Sequence, residues 1–124
     1  MDTRKNTNTT ADHIADNQLR QLKELLVYLQ KNSPFYQELF RDRRIDIDKI
    51  TSLDQLQIFP TTSKEDLQKR NNDFICVPSS RIIEYSSTSG TLGSPVTVAL
   101  TENDLSRLAL NEYNSFLCAG GNAQ

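Results

Sequence analysis

The stretch Tyr85-Ser86-Ser87-Thr88-Ser89-Gly90-Thr91-Leu92-Gly93-Ser94-Pro95 constrains this chain more than any other. Five hydroxyl residues fall between Ser86 and Thr91, and two glycines interrupt them at Gly90 and Gly93. β-branched and aromatic residues precede it in Arg81–Tyr85, and an apolar run with alternating Thr follows in Val96–Leu100. Such runs on either side of a Gly/Ser cluster predict an antiparallel hairpin. Glycine tolerates positive φ and close backbone approach to a ligand. Consecutive N–H groups in such a turn can form an anion-binding concavity, and hydroxyls add further donors. The stretch is therefore a candidate phosphate cradle.

It is not a Walker A loop, which requires G-x-x-x-x-G-K-[ST] running into a helix. Here the glycines stand three apart, Ser94 follows Gly93, and a strand is expected next. Taken alone, the composition equally describes an ordinary hairpin loop, because Ser and Gly dominate turns for conformational reasons.

The rest of the chain sets limits. At 124 residues it is at most one domain by length. A hydrophobic content of 36% is low for a self-contained core and suits a piece that leans on a larger protein. The net charge of -2 argues against general nucleic-acid binding, which calls for a basic face. The basic cluster Arg41-Asp42-Arg43-Arg44 reads as a solvated helix end. No run approaches the roughly 18 apolar residues of a membrane span, and Met1–Thr10 has no apolar core of the kind a signal peptide needs. Cys76 and Cys118 lie far apart without a metal-ligand spacing and read as free thiols. No membrane partner, no nucleic-acid partner and a cytoplasmic setting are the resulting expectations. His13 is the sole histidine and is expected to face solvent.

Residues 1–10 are polar and read as a mobile tail, leaving 11–124 as the folded part. Leu22, Leu25, Leu26 and Leu29 recur at helical spacing and predict one apolar face on a helix from about Ala11 to Lys31. Ser33-Pro34 predicts a new helix, with Ser33 as cap and Pro34 at its first position. Phe35, Tyr36, Leu39 and Phe40 form its apolar side. Arg44–Thr51 reads as an irregular charged link. Ser52-Leu53-Asp54-Gln55 has the form of a capping box, and its helix must end before Pro60. Ser63 starts a short helix with Glu65 and Asp66 in its first turn and Lys69 and Arg70 in its last. Lys64 reads as a surface residue. Asn71–Ser80 is a loop with an apolar insert. Thr101 caps a final helix whose apolar face includes Leu105, Leu108, Ala109, Tyr113 and Phe116, and Gly120-Gly121 stops it. The fold class is α/β: a mainly helical first half, then a β-hairpin carrying the loop, then a C-terminal helix.

Four segments resemble one family. Thr88-Ser89-Gly90-Thr91-Leu92-Gly93-Ser94-Pro95 resembles the S-S-G-T-T-G-K-P loop of adenylate-forming enzymes, the acyl-CoA synthetases and their relatives. Ser33-Pro34-Phe35-Tyr36 resembles the "SPFY" segment of their phenylacetate-CoA ligase branch. Pro60-Thr61-Thr62-Ser63-Lys64-Glu65-Asp66-Leu67 resembles its "P-x-T-x-K-E-D-L" segment, and Thr101-Glu102-Asn103-Asp104-Leu105 its "T-x-x-D-L". Leu92 stands where the family usually has a second Thr, and Ser94 where Lys is common.

The resemblance implies a fragment from the N-terminal domain of an AMP-forming acid–thiol ligase. Such a ligase joins a small carboxylic acid to ATP, releases pyrophosphate, and passes the acyl group to a thiol such as coenzyme A. By the same resemblance, Thr88, Ser89, Gly90, Thr91 and Gly93 bind the ATP phosphates, with Mg²⁺ sharing the charge. Neither a catalytic residue nor a protein-held metal maps onto this chain, so alone it is expected to be inactive. The faces it would show toward the rest of a ligase predict a homo-oligomer. The alternative is a non-catalytic helical interaction module or a decayed stub of such an enzyme.

Overall fold

The computed structural model describes residues 5–90 and 93–121, with the side chains of residues 5–12 outside that description. The tail expected over residues 1–10 therefore lies outside it for its first four residues. The next six already belong to a helix. The chain divides into two compact units, Met1–Cys76 and Val77–Gln124.

The first unit is helical. Helix α1 runs from Lys5 to Asn32 and so begins six residues before the expected Ala11. Its inward residues are Leu19, Leu22, Leu26 and Leu29, a 3-4-3 spacing. Leu25, expected on that face, is 52% exposed. The four predicted positions span about 100° of the helix surface, and Leu25 lies at the edge away from Leu19 and Leu26, the side on which the partner packs.

Ser33 ends α1 and starts α2, Pro34–Asp42. Its hydroxyl accepts from the Tyr36 N–H at 3.4 Å and donates to the Asp73 carbonyl at 2.7 Å. Helix α2 closes at Arg44, which has φ 53°. The Arg44 N–H donates to the Arg41 carbonyl, and the Ile45 N–H to the Phe40 carbonyl. These are the two crossed bonds of a Schellman closure, a position that favours glycine. As expected, the cluster Arg41-Asp42-Arg43-Arg44 is exposed.

The closure delivers Ile45 to the core, and Arg44–Thr51 is not merely a charged link. It holds a 3₁₀ turn over Ile47–Lys49, and Ile47 and Ile50 are 5% and 1% exposed. With Leu26 and Phe40 they form the core cluster, against which Tyr36, Leu39 and Phe59 pack. Fully burying one such side chain contributes about 1.5–3 kcal/mol. The intervening charges point outward, with Lys49 meeting Asp46 at 3.2 Å.

The Ser52 box forms as read, with the Gln55 Oε1 accepting from the Ser52 N–H at 3.0 Å. The turn it begins, Leu53–Ile58, is 3₁₀ and stops before Pro60. Helix α3, Lys64–Arg70, is capped by Ser63, whose partner Asp66 returns the bond to the Ser63 N–H at 2.8 Å. Those bonds hold the Asp66 carboxyl below its usual value, the Ser63 hydroxyl contributing most. At the far end, Arg70 meets Asp73 and Glu38, each at 2.7 Å, and lies over the Phe35 ring. Phe35 in turn stacks on Phe74, with centroids 4.0 Å apart. The apolar insert of the 71–80 loop thus closes over α2.

In the second unit, strand β1 (Ile82–Ser87) pairs antiparallel with β2 (Thr97–Thr101). The hairpin expected from the sequence is present, with β1 extending two residues further into the hydroxyl cluster. Pairing runs from Ser87 opposite Thr97 to Glu84 opposite Leu100, then shifts, so that Ile82 faces Thr101. Helix α4, Glu102–Cys118, follows directly. Thr101 caps it, and Asp104 accepts from the Thr101 N–H at 3.0 Å and from its hydroxyl at 2.8 Å. The helix stops as expected at Gly120-Gly121. The Gly120 N–H donates to the Leu117 carbonyl and the Gly121 N–H to the Phe116 carbonyl, again a Schellman closure. The predicted apolar side of α4 is present but open, with Leu108, Tyr113 and Phe116 at 46%, 49% and 66% exposure. Among the described residues, no helix is long and apolar enough to cross a membrane.

Candidate functional site

The hairpin brings Thr88, Ser89, Gly90 and Gly93 into one loop. Thr91, together with the departure at Leu92, lies outside the described residues. Ser86 and Ser87 were read with the hydroxyl-rich loop but belong to β1. The Ser87 hydroxyl lies 3.3 Å from that of Thr97, a cross-strand pair at the end of the ladder.

Thr88 is the first residue beyond that ladder. Its N–H donates to the Val96 carbonyl at 3.0 Å, and its Oγ1 accepts from the Val96 N–H at 3.0 Å. The loop is therefore closed at its base by two bonds between the same two residues. One of them uses a side chain where a strand pair would use a carbonyl. Val96 is buried at 7% exposure. The sequence reads it as the first residue of the second strand; it lies one residue before β2, in the bonded base of the loop.

Gly90 has φ 58°. A Cβ there would meet the Gly93 carbonyl oxygen at 3.0 Å and the Pro95 ring at 3.4 Å, so both space and backbone conformation require glycine. The Gly93 N–H donates to the Gly90 carbonyl at 3.3 Å, giving the loop a tight internal turn. Gly93 itself has φ 138°. Ser89 is exposed, as is Thr88.

Chemically, this is a turn bonded at its base, with the exposed Ser89 hydroxyl next to it. Hydroxyls and N–H groups can donate to phosphate oxygens, and bonds to a charged oxygen contribute about 1.5–3 kcal/mol each. Among the described residues, no group of three or more His, Cys, Asp or Glu is placed to hold a metal ion. Lys64 is exposed on the first unit, as expected of a surface residue, and His13 is exposed as well. The thiol of Cys76 is pushed up by burial, while Cys118 is exposed; both are free, as read.

No protein-family model matches the chain. The phenylacetate-coenzyme A ligases of Pseudomonas putida and Escherichia coli (strain K12) are each 32% identical to it over 115 residues, covering 90% of this chain and 26% of theirs. That of Thermus thermophilus is 32% identical over 104 residues. The chain thus spans about a quarter of the length of the curated relatives it matches. A crystal structure of 2-hydroxyisobutyryl-CoA ligase, in complex with 2-HIB-AMP and CoA in the thioesterification state, matches 76% of this chain. Its TM-score is 0.69 at 26% identity, and the match takes in 21% of that ligase chain. An open conformation of the same ligase matches with a TM-score of 0.66 at 24% identity, a likeness of fold. By the sequence matches and the shared fold, the chain is similar to a fragment of the adenylate-forming enzymes, in their phenylacetate-CoA ligase-like branch.

Proposed function

We propose that the chain supplies the ATP-phosphate-binding loop of an AMP-forming acid–thiol ligase. The observation that carries this reading is the loop between Thr88 and Val96. Two bonds fix its base, and Gly90 bends it in the left-handed region. Thr88, Ser89 and Thr91 offer hydroxyls, and Gly90 and Gly93 let the backbone approach the β- and γ-phosphates. Preorganised donors of this kind stabilise charge that develops as pyrophosphate leaves. Mg²⁺, carried by the nucleotide, would neutralise part of that charge.

In this reading the substrate is a small carboxylic acid and the acceptor is coenzyme A. Both fit the relatives, which are coenzyme A ligases. A cytoplasmic setting and self-association belong to the same reading, and sedimentation of the chain tests the second. The decisive experiment measures pyrophosphate release from ATP by a full-length ligase containing this chain, offered a panel of aryl and fatty acids. Release that depends on the acid supports the reading.

A second reading is an interaction module. The exposure of Leu25, Val27 and Tyr28 on α1, at 52%, 51% and 44%, favours it. Absence of acid-dependent pyrophosphate release from a folded full-length protein would select it.

A further inference from the structure

We infer that Thr88 is a positioning residue: its hydroxyl ends the β-ladder and clamps the base of the loop. The inference rests on the phosphate reading only for what the loop then binds.

In an antiparallel hydrogen-bonded pair the two residues exchange both of their N–H···O=C bonds. Ser87 and Thr97 are the last paired residues of the ladder. One step further on, the Thr88 N–H still donates to the Val96 carbonyl, at 3.0 Å. The return bond changes its acceptor. The Val96 N–H goes to the Thr88 Oγ1, also at 3.0 Å, across eight positions of sequence. A side chain thus substitutes for a carbonyl at the point where strand becomes loop. This relieves the Thr88 peptide of its ladder geometry, and the chain turns through Ser89 into the left-handed Gly90. The buried donor of Val96 keeps a partner, as a buried N–H requires.

The direction of the bond matters as well. The Thr88 oxygen spends a lone pair on Val96, which leaves the O–H as the hydroxyl's donor. Accepting a hydrogen bond polarises an O–H toward donating one. Valine matches threonine in shape without either function, and serine retains both.

The test uses the 124-residue chain with Thr88→Val, Thr88→Ser, and Val96 replaced by its α-hydroxy acid. That last change deletes the Val96 N–H and leaves Thr88 intact. The first measurement is amide hydrogen exchange without ligand. Thr88→Val should speed exchange at Val96 by about five- to tenfold, the equivalent of one ordinary hydrogen bond. Thr88→Ser should restore the rate. An unchanged rate in Thr88→Val means that another acceptor serves Val96, and this overturns the inference.

The second measurement titrates inorganic tripolyphosphate against the amide shift of Ser89. Thr88→Val and the Val96 ester should each weaken binding, and the doubly altered chain should lose less than the sum of the two, because both remove the same bond. Strict additivity would show Thr88 acting on the ligand alone and would overturn its positioning role. If Thr88→Val fails to fold, the ester against Thr88→Ser decides the same point. Failure of the unaltered chain to respond to tripolyphosphate even well above about 1 mM would count against the phosphate reading. The exchange result would still decide the clamp.

Discussion

Ser33 and Asp73 stand forty positions apart, yet the Ser33 hydroxyl donates to the Asp73 carbonyl at 2.7 Å, and Ser33 is wholly buried. The same oxygen accepts from the Tyr36 N–H at the start of α2. One side chain therefore both begins a helix and ties down the segment that carries Phe74. Ser33→Ala removes the cap, which costs about 1 kcal/mol, and deprives the Asp73 carbonyl of its donor, which costs about 1–3 kcal/mol. Urea denaturation should show a loss of about 2 kcal/mol or more. A loss under about 0.5 kcal/mol would show that neither bond contributes.

Arg44 and Gly90 share left-handed backbone but differ in side chain. Arg44 closes α2 at φ 53°, where a non-glycine residue is strained by about 1–2 kcal/mol. Arg44→Gly should therefore raise the urea midpoint slightly, since its gain is partly offset by the added freedom of the unfolded chain. Gly90→Ala should do the reverse. Its Cβ would press on the Gly93 carbonyl oxygen at 3.0 Å, and the loop should shift, seen as amide shift changes from Thr88 to Val96.

Acid should loosen the start of α4. The Asp104 carboxyl sits below its ordinary value of 3.8, first because it accepts from the Thr101 N–H, then from the Thr101 hydroxyl. A carboxylate with a lowered folded value stabilises the fold above its unfolded value, and that contribution disappears as pH falls through the folded one. Thermal unfolding should therefore lose this increment below about pH 4, and Asp104→Asn should flatten that part of the profile. Thr101→Ala should cost about 1 kcal/mol near neutral pH. An Asp104 carbon signal that titrates at its ordinary value would sink the prediction.

The loop makes a kinetic prediction in a full-length ligase. Ser89→Ala or Thr91→Ala should lower kcat by on the order of 10²-fold if the hydroxyl acts chiefly on developing charge. Leu92→Thr should leave the rate equal or higher. The 124-residue chain by itself should bind ATP with a Kd weaker than about 1 mM, about -4 kcal/mol, because a few loop contacts barely offset the entropy of association. Pyrophosphate release and calorimetry measure the two. Unchanged rates in both alanine variants would remove the loop from the mechanism.

Local rules carried the sequence reading furthest. Ser33, Ser52, Ser63 and Thr101 all start their helical segments as read, because a cap depends on residues three or four positions away. Gly120-Gly121 and the hairpin were legible for the same reason. What failed depended on distant packing. Leu25 fits a helical face as well as Leu26 does, and only the placement of Phe40, Ile47 and Ile50 decides between them. Ile47 and Ile50 were hidden among charges in a segment too short for any periodicity to show. Arg44 carried no glycine to announce the end of α2. At the loop, the residue types were plain, but the bond from Val96 to Thr88 was not, since neither type demands the other.

The shift in pairing between Ile82 and Glu84 has a consequence for how the second unit tolerates change in length. One surplus residue on β1 separates the ladder that ends at Ser87 and Thr97 from the pair that meets Thr101. Because side chains alternate with a period of two, a slip of one residue would otherwise carry to every position. The surplus residue absorbs such a slip. Strand β2 runs from Thr97 to Thr101 without a surplus residue, so the loop base and the cap on α4 stay in one phase, and the slip falls on the β1 side before Ile83. An insertion or deletion near Ile83 re-indexes one side and leaves the other standing.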